Sequence, residues 1–205
     1  EIPEFNRSSL EVLRQPLEDG FVTVSRVNFS VSYPSEVTLI CTANPCKCGN
    51  FMDETRECTC TIGEIKKYLG KLSGPLLDRV DIHIEVPSVR YSDLETEQKA
   101  ESSSSIRERV LKARRLQMER YKSHKILNNS QLTSRLIGKY CRLDKIGKQL
   151  LKDAFEKLGL SARAYNRILK VSRTIADLDE SENIESRHLA EAIQYRSLDR
   201  DFWRG

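Results

Sequence analysis

Residues 37–45, VTLICTANP, indicate the fold class most directly. Residues 37–41 are nearly all apolar, which is typical of a parallel strand that is buried on both faces. Asn44 and Pro45 follow directly at the C-terminal end of this strand. Ligands of open α/β sheets bind at that end, so Asn44 is a candidate site residue. The sequence therefore predicts a parallel α/β sheet with an amide at its ligand-binding edge.

Two further stretches have the alternation of strands. Residues 21–33 alternate apolar and polar side chains in two short runs, which predicts a β-hairpin with Arg26 and Asn28 near its tip. Residues 80–86 alternate in the same way, and Pro87 ends the pattern. We therefore expect a second core strand there.

The apolar period then changes from that of strands to that of helices. Ser92 and Glu95 fit a capping box, and residues 106–121 follow with a helical and very basic pattern. No strand pattern recurs after this point. We therefore predict an α/β portion over residues 1–91 and an all-helical domain over residues 92–205.

Charge is distributed unevenly between these two portions. Residues 1–91 carry ten Lys and Arg against thirteen Asp and Glu, whereas residues 92–205 carry 24 against 17. Residues 107–125 alone hold eight positive and two negative side chains. A basic half is compatible with a polyanion such as DNA. A neighbouring subunit is a second possible partner, and a solvated helix face is the alternative to both.

Several function classes lack their motifs. A phosphate-binding P-loop needs G-x-x-x-x-G-K-[ST], and the nearest candidate, Gly63 to Lys71, has the wrong spacing. No apolar run approaches the ~18 residues of a membrane span. No secretion signal opens the sequence, so we expect a cytoplasmic protein without membrane contact.

Because the sequence begins at Glu1, in the middle of a pattern, we interpret it as part of a longer protein. We expect this part alone to lack any activity that needs a P-loop.

The run LSGPLLDRVD, residues 72–81, places an arginine at a rigid corner. Gly-Pro forces a turn, two leucines anchor the next element, and Arg79 comes directly before the predicted strand. A guanidinium held there can reach the nucleotide of a neighbouring subunit, because its planar fork matches phosphate. An ion pair within the chain, with Asp78 or Asp81, fits the spacing equally well.

Two close pairs of cysteines lie in one loop. Cys46 and Cys48 form the first pair, and Cys58 and Cys60 form the second. Four thiolates can bind Zn²⁺ tetrahedrally and order a loop that has little core of its own. Disulfides would need an oxidising compartment, which nothing in the sequence indicates. The C-x-C spacing is less usual for a zinc site than C-x-x-C, but a structural zinc loop is favoured over reduced or redox-active thiols.

Three motifs together indicate a family. TANPCKCG at residues 42–49, SGPLLDR at 73–79, and LSARAYNR at 160–167 with RTIADL at 173–178 resemble the Mg-chelatase-like AAA+ ATPases of the ComM/YifB type. The resemblance covers essentially the whole chain. It implies the C-terminal part of an AAA+ core with a hairpin insertion, followed by a helical lid. It also implies a ring of identical subunits, most simply a hexamer, that uses ATP and Mg²⁺.

The resemblance also implies roles for individual residues. Asn44 matches sensor 1, which orients the attacking water, and Arg79 matches the arginine finger supplied across a subunit boundary. Arg163 matches sensor 2, with Arg167 one turn later as the second choice. Glu1 matches the water-polarising acid of the Walker B segment.

The substrate is left open between classes. By resemblance the hairpin of residues 21–33 points into a central pore, where Arg26 and Asn28 would contact DNA, although a plain surface hairpin is the alternative. The resemblance to this family implies ATP-driven DNA remodelling, such as branch migration during DNA uptake and recombination. The alternatives are an ATPase subunit that drives Mg²⁺ insertion into a porphyrin, and a non-enzymatic DNA-binding or regulatory module with a zinc loop.

Overall fold

The computed structural model describes residues 1–89, 91 and 100–196, and it divides into two compact units. The first unit comprises Glu1–Val80, and the second begins at Asp81. The division falls earlier along the chain than the change of period near residue 91. The predicted capping pair Ser92 and Glu95 lies outside the described residues.

The first unit consists of short helices, one hairpin and long irregular segments. Its elements are a 3₁₀-helix Ile2–Glu4, α1 Arg7–Val12, α2 Arg14–Asp19, β1 Phe21–Arg26, β2 Phe29–Pro34, α3 Ile62–Leu69 and α4 Gly74–Leu77. Two small apolar clusters hold these elements together. Ile2, Leu10, Leu72 and Leu76 form one of them. The other contains Cys46 and the buried side of α3.

Helix α3 begins at a complete capping box. The Glu64 backbone N–H donates to the Thr61 hydroxyl at 3.3 Å, and the Thr61 N–H donates to the Glu64 carboxylate at 2.9 Å. These bonds satisfy donors that the first turn of a helix leaves unpaired. Ile65, Tyr68 and Leu69 share the buried face because they are three and four residues apart. That face packs against the cysteine loop.

The hairpin predicted over residues 21–33 is confirmed. Strands β1 and β2 pair antiparallel in a register that sets Arg26 opposite Phe29. Thr23 and Ser25 on β1 form hydroxyl contacts of 2.9 Å with Ser32 and Ser30 on β2. These four hydroxyls lie on one face of the hairpin, because alternate residues of a strand share a face. Arg26 and Phe29 therefore lie on the opposite face.

The parallel sheet that the sequence predicts is not present among the described residues. Their only sheet is the two-stranded hairpin, and the segments 37–41 and 80–86 form no strand in the described part of the chain. Ile40 is 89% exposed and Val86 is 81% exposed. The alternation of apolar residues indicates which side chains a sheet would bury. A strand also needs a neighbouring strand to pair with its backbone N–H and C=O groups. In the described residues these segments are irregular, and most of their side chains are exposed to solvent.

Helices are the only long regular elements among the described residues of the second unit, as the period predicted. Its elements are α5 Ser103–Arg120, a 3₁₀-helix Asn129–Gln131, α6 Ser134–Tyr140, α7 Lys145–Leu158, α8 Ala162–Leu178 and α9 Ser186–Gln194. Helix α8 is central and packs against α5, α6 and α9. The Ser161 hydroxyl caps it by accepting the Ala164 N–H at 3.1 Å. The core of this unit is centred on Ile168 and Leu189, both fully buried.

A buried carboxylate ties α5 to α8. Asp177 is fully buried and accepts hydrogen bonds from Arg120 at 2.5 and 2.9 Å. It also accepts from Arg173 at 3.1 Å and from Asn129 at 2.8 Å. Several donors offset the cost of burying the charge. The RTIADL motif, residues 173–178, therefore contributes the core ion pair of the helical unit.

Candidate functional site

The chain start lies alongside the segment that carries Asn44. The backbone N–H of Ile2 donates to the carbonyl oxygen of Thr42 at 2.8 Å. Glu1 precedes the donor, and Asn44 follows the acceptor by two residues. Both side chains are exposed. The contact therefore brings the predicted Walker B acid and the predicted sensor 1 amide to the same part of the first unit.

Tyr68 provides a second contact with this region. Its ring is buried on α3, and its hydroxyl lies near the backbone of Asn44. Burial raises the pKa of Tyr68, and the negative charges of Glu4 and Glu1 raise it further. The two carboxylates therefore lie close enough to act on the phenol. Sequence reasoning missed Tyr68, although its spacing of three residues from Ile65 marks the buried face of α3.

The chemistry of this region follows from its donor set. An exposed carboxylate can accept a proton from water or bind Mg²⁺ through water. An exposed amide can donate to and accept from the same water molecule. Glu1 and Asn44 therefore suit the orientation of a water molecule for attack on a phosphoryl group.

Arg79 is held within its own unit. Its side chain is 8% exposed, and its Nη1 donates to the carbonyl oxygen of Pro75 at 2.6 Å. Its Nε lies 3.0 Å from the Glu18 carboxylate without the alignment of a hydrogen bond, so this contact is an ion pair. The ion pair that the spacing allowed is therefore present, but its partner is Glu18 rather than Asp78 or Asp81. Presentation to another subunit would require this pair to open.

The two candidate sensor 2 arginines differ in their surroundings. Arg163 is exposed in the first turn of α8. Arg167, one turn later, is largely buried and forms an ion pair with Asp81. Arg163 is thus the more accessible guanidinium of the two, and Arg167 helps to fix the start of the second unit to α8.

The hairpin tip is basic, aromatic and exposed. Arg26 and Asn28 are both exposed, and Val27 between them is fully exposed. Phe29, opposite Arg26 in the register, is 55% exposed. A cation beside an accessible aromatic ring suits a single-stranded nucleic acid, because the ring can stack on a base while the cation binds phosphate. Sequence reasoning missed Phe29, whose face depends on the register.

The basic pattern of α5 is partly neutralised within the protein. Arg109 donates to Glu101 at 2.7 Å, and Lys112 lies 3.4 Å from Glu180. Arg120 belongs to the buried pair with Asp177. The exposed positive charges of α5 that remain prominent are Arg107, Arg114 and Arg115. The helix therefore offers a smaller cationic surface than its composition indicates.

The four cysteines of the loop converge on one point. Their Sγ atoms all lie within 4.8 Å of one another. The Cys46–Cys48, Cys48–Cys58 and Cys46–Cys58 sulfur distances are 3.3, 3.6 and 3.7 Å. Tetrahedral thiolates at ~2.3 Å from Zn²⁺ stand about 3.8 Å apart. None of the four is in a disulfide. The cluster, completed by Cys60, can therefore hold a metal ion.

The cluster favours one thiolate and resists others. A backbone hydrogen bond from Asn50, a bond from the Cys46 thiol and one from the Thr59 backbone lower the pKa of Cys48 to about 5. The Cys60 backbone favours the Cys58 thiolate, but burial and the thiols of Cys48 and Cys46 together raise the Cys58 pKa to about 12. A negative charge on one sulfur of the cluster therefore disfavours ionisation of the neighbouring thiol.

The remaining cysteines stand apart from the cluster. Cys41, expected in a buried strand, is exposed because that segment has no sheet partner among the described residues. Cys141 is buried at the end of α6, and burial raises its pKa to about 11.

In the part of the chain that the structure describes, every helix is too short or too polar to cross a bilayer.

Comparisons with known proteins agree with the family resemblance. The family "Magnesium chelatase, subunit ChlI" matches residues 1–94, and "Magnesium chelatase, subunit ChlI C-terminal" matches residues 100–196. The Competence protein ComM of Haemophilus influenzae is 44% identical over 199 residues, covering 97% of this chain and 38% of ComM. The Uncharacterized protein YifB of Escherichia coli is 39% identical over 201 residues, covering 98% of this chain and 38% of YifB. The chain thus spans well under half the length of these relatives.

Proposed function

Because the chain belongs to the Mg-chelatase-like family that includes ComM and YifB, we propose that it is part of an ATP-driven ring motor, supplying the residues that trigger hydrolysis. The observation that carries this proposal is the hydrogen bond from Ile2 to Thr42, which keeps Glu1 beside the Asn44 segment. The proposal includes the AAA+ core fold, a hexameric ring of identical subunits and a cytoplasmic location.

The proposed roles follow from side-chain chemistry. ATP with Mg²⁺ supplies the phosphoanhydride bond that is cleaved. Glu1 accepts a proton from the attacking water, and the Asn44 amide orients that water. Arg163, exposed on α8, contacts the nucleotide as a lid arginine, with Arg167 as the second choice. Both arginines match phosphate geometry.

Arg79 is proposed as the finger only in an opened state. A γ-phosphate on a neighbouring subunit carries more negative charge than the Glu18 carboxylate and can compete for the guanidinium. The ion pair with Glu18 would then be the resting arrangement, and assembly with nucleotide would replace it. The proposed function rests on Glu1 and Asn44 and does not require this switch.

We propose DNA as the substrate of the motor. A relative that carries the name of a competence protein supports it, as does the hairpin tip, where Arg26 lies opposite Phe29. The runner-up is the chelatase reaction with a porphyrin. In the full-length protein, stimulation of ATP hydrolysis by single-stranded DNA is expected. Hydrolysis that depends instead on porphyrin-binding partners would favour the runner-up, and DNA binding without hydrolysis would favour a regulatory module.

The ion proposed for the cysteine cluster is Zn²⁺. Four sulfur ligands with tetrahedral spacing suit Zn²⁺, whereas Mg²⁺ prefers oxygen. The support is the convergence of Cys46, Cys48, Cys58 and Cys60 from two separate parts of one loop. Metal analysis of the purified protein tests this assignment.

A further inference from the structure

We propose that the metal held by the four cysteines is a positioning device for catalysis, which fastens the Asn44 segment against Glu1 and makes hydrolysis depend on the bound ion. The inference rests on the proposed ATPase function. It adds the regulation of that site, and it follows from a closed chain of contacts.

The first link joins the metal to the segment. Cys46 lies two residues after Asn44, with only Pro45 between them. It is fully buried, and its sulfur lies 3.7 Å from that of Cys58. A proline restricts the backbone next to it. An ion on Cys46 therefore constrains the position of Asn44 through a short and stiff connection.

The second link joins the metal to α3. Cys60 immediately precedes Thr61, the residue that caps this helix. Because the capping box with Glu64 fixes the first turn, an ion on Cys60 is attached directly to a rigid element. The metal thus bridges the Asn44 segment and the start of α3.

The third link returns from α3 to the segment. Tyr68, two turns along the helix, packs in the same cluster as Cys46, and its hydroxyl lies near the Asn44 backbone. The path from Asn44 through Cys46, the ion, Cys60 and α3 therefore closes at Tyr68. Beyond Asn44, the bond from Ile2 to Thr42 carries the position of the segment to Glu1.

The loop has no regular secondary structure of its own. Residues 46–60 contain no helix or strand in the structure, and the Asp53 carboxylate mainly organises its own turn with Thr55 and Arg56. Ordering such a chain costs about 1–2 kcal/mol per residue in backbone entropy. A four-ligand ion offsets that cost, because its binding free energy adds to the folding free energy of the loop.

The test uses full-length protein purified with its metal and then treated with a chelator. Metal content, the Kd for ATP, kcat and amide exchange over residues 1–5 are measured together. The Ile2 amide is the informative probe, because it lies outside the cysteine loop and reports the Thr42 contact. Cys48→Ser and Tyr68→Phe are the test variants, and Cys41→Ser is the control thiol change.

Metal loss is expected to speed exchange over residues 1–5 and to lower kcat roughly 10- to 100-fold, as misplaced catalytic groups do. The Kd for ATP should stay at its original value, and added Zn²⁺ should restore both signals. Cys48→Ser should behave like the metal-free protein. Tyr68→Phe should lower kcat with its metal retained, and Cys41→Ser should change nothing.

The inference would be overturned if amide exchange over residues 1–5 and kcat stayed unchanged when the metal is removed. A full-length protein that binds no metal would overturn it as well. A wild-type protein without ATP turnover whose residues 1–5 still respond to metal would retain the fastening and refute the proposed function instead.

Discussion

The backbone of Ile2 is joined to the backbone of Thr42 by a hydrogen bond of 2.8 Å. The contact links residues far apart in sequence and brings a carboxylate, Glu1, to the segment of an exposed amide, Asn44. Neither side chain is committed to the core, since both are exposed. Polar groups held at the surface by backbone contacts are available for chemistry.

Replacing Glu1 by Gln removes the base and keeps the shape of the side chain. In full-length protein we expect ATP hydrolysis to fall by roughly 10²-fold or more, since general base catalysis contributes about that much. ATP binding should persist, and steady-state turnover with a binding assay separates the two. Glu4→Gln is the matched control, because Glu4 is a second exposed carboxylate near Tyr68. Equal loss in both variants would argue against a special role for Glu1.

Comparison of Arg79→Ala with Glu18→Gln tests whether Arg79 acts as an arginine finger or has only a structural role. Both changes break the ion pair, and we expect each to lower the free energy of unfolding by about 1–3 kcal/mol, the cost of leaving a charged partner unmatched. As a finger, Arg79 is needed for hydrolysis while Glu18 is not. Turnover should therefore vanish in Arg79→Ala and persist in Glu18→Gln. Similar turnover in the two variants would leave Arg79 a purely structural role.

Purified protein should contain close to one zinc ion per chain, measured by elemental analysis. Cys58→Ser removes a ligand and should reduce zinc content and thermal stability together, because the metal stabilises the loop. Cys141→Ser changes a buried cysteine outside the cluster and should keep the zinc. A protein free of zinc, with all of its thiols reduced, would contradict the assignment.

The hairpin tip should bind single-stranded DNA through two separable contributions. Arg26→Ala should weaken binding and reduce the dependence of log Kd on log salt by about 1, as expected for one lost phosphate contact. Phe29→Ala should cost about 1–3 kcal/mol of binding with the salt dependence unchanged, because stacking is not ionic. Fluorescence anisotropy over a salt series measures both. Thr23→Ala, on the opposite face, should bind normally, and weakening by all three variants alike would indicate a folding defect.

The 205-residue chain by itself should not hydrolyse ATP at a measurable rate. The P-loop lysine and its backbone amides bind the β- and γ-phosphates in such motors, and this sequence lacks their motif. A phosphate-release assay on the purified chain checks the prediction. Robust turnover that persists in Glu1→Gln would show a contaminating enzyme, and turnover that this change removes would contradict the prediction.

Sequence reasoning succeeded for elements whose partners lie close along the chain. The hairpin, the helices after residue 100 and the two cysteine pairs come from the spacing of neighbouring residues, which the backbone periods translate directly. It failed for residues 37–41 and 80–86, whose apolar side chains predicted strands. A strand depends on a partner segment that the pattern does not name, so exposed irregular chain is found there instead.

The family, the helices of the second unit, the hairpin and the two cysteine pairs can be predicted from the amino-acid sequence, because their signals lie in neighbouring residues. The ion pair between Glu18 and Arg79, the proximity of Tyr68 to Asn44, and the ion pairs of Asp177 with Arg120 and Arg173 become visible only in the folded chain. Most of these partners lie far from one another along the chain. A buried charge needs a nearby partner, and the packing of the chain in three dimensions sets which residue lies close enough to be that partner.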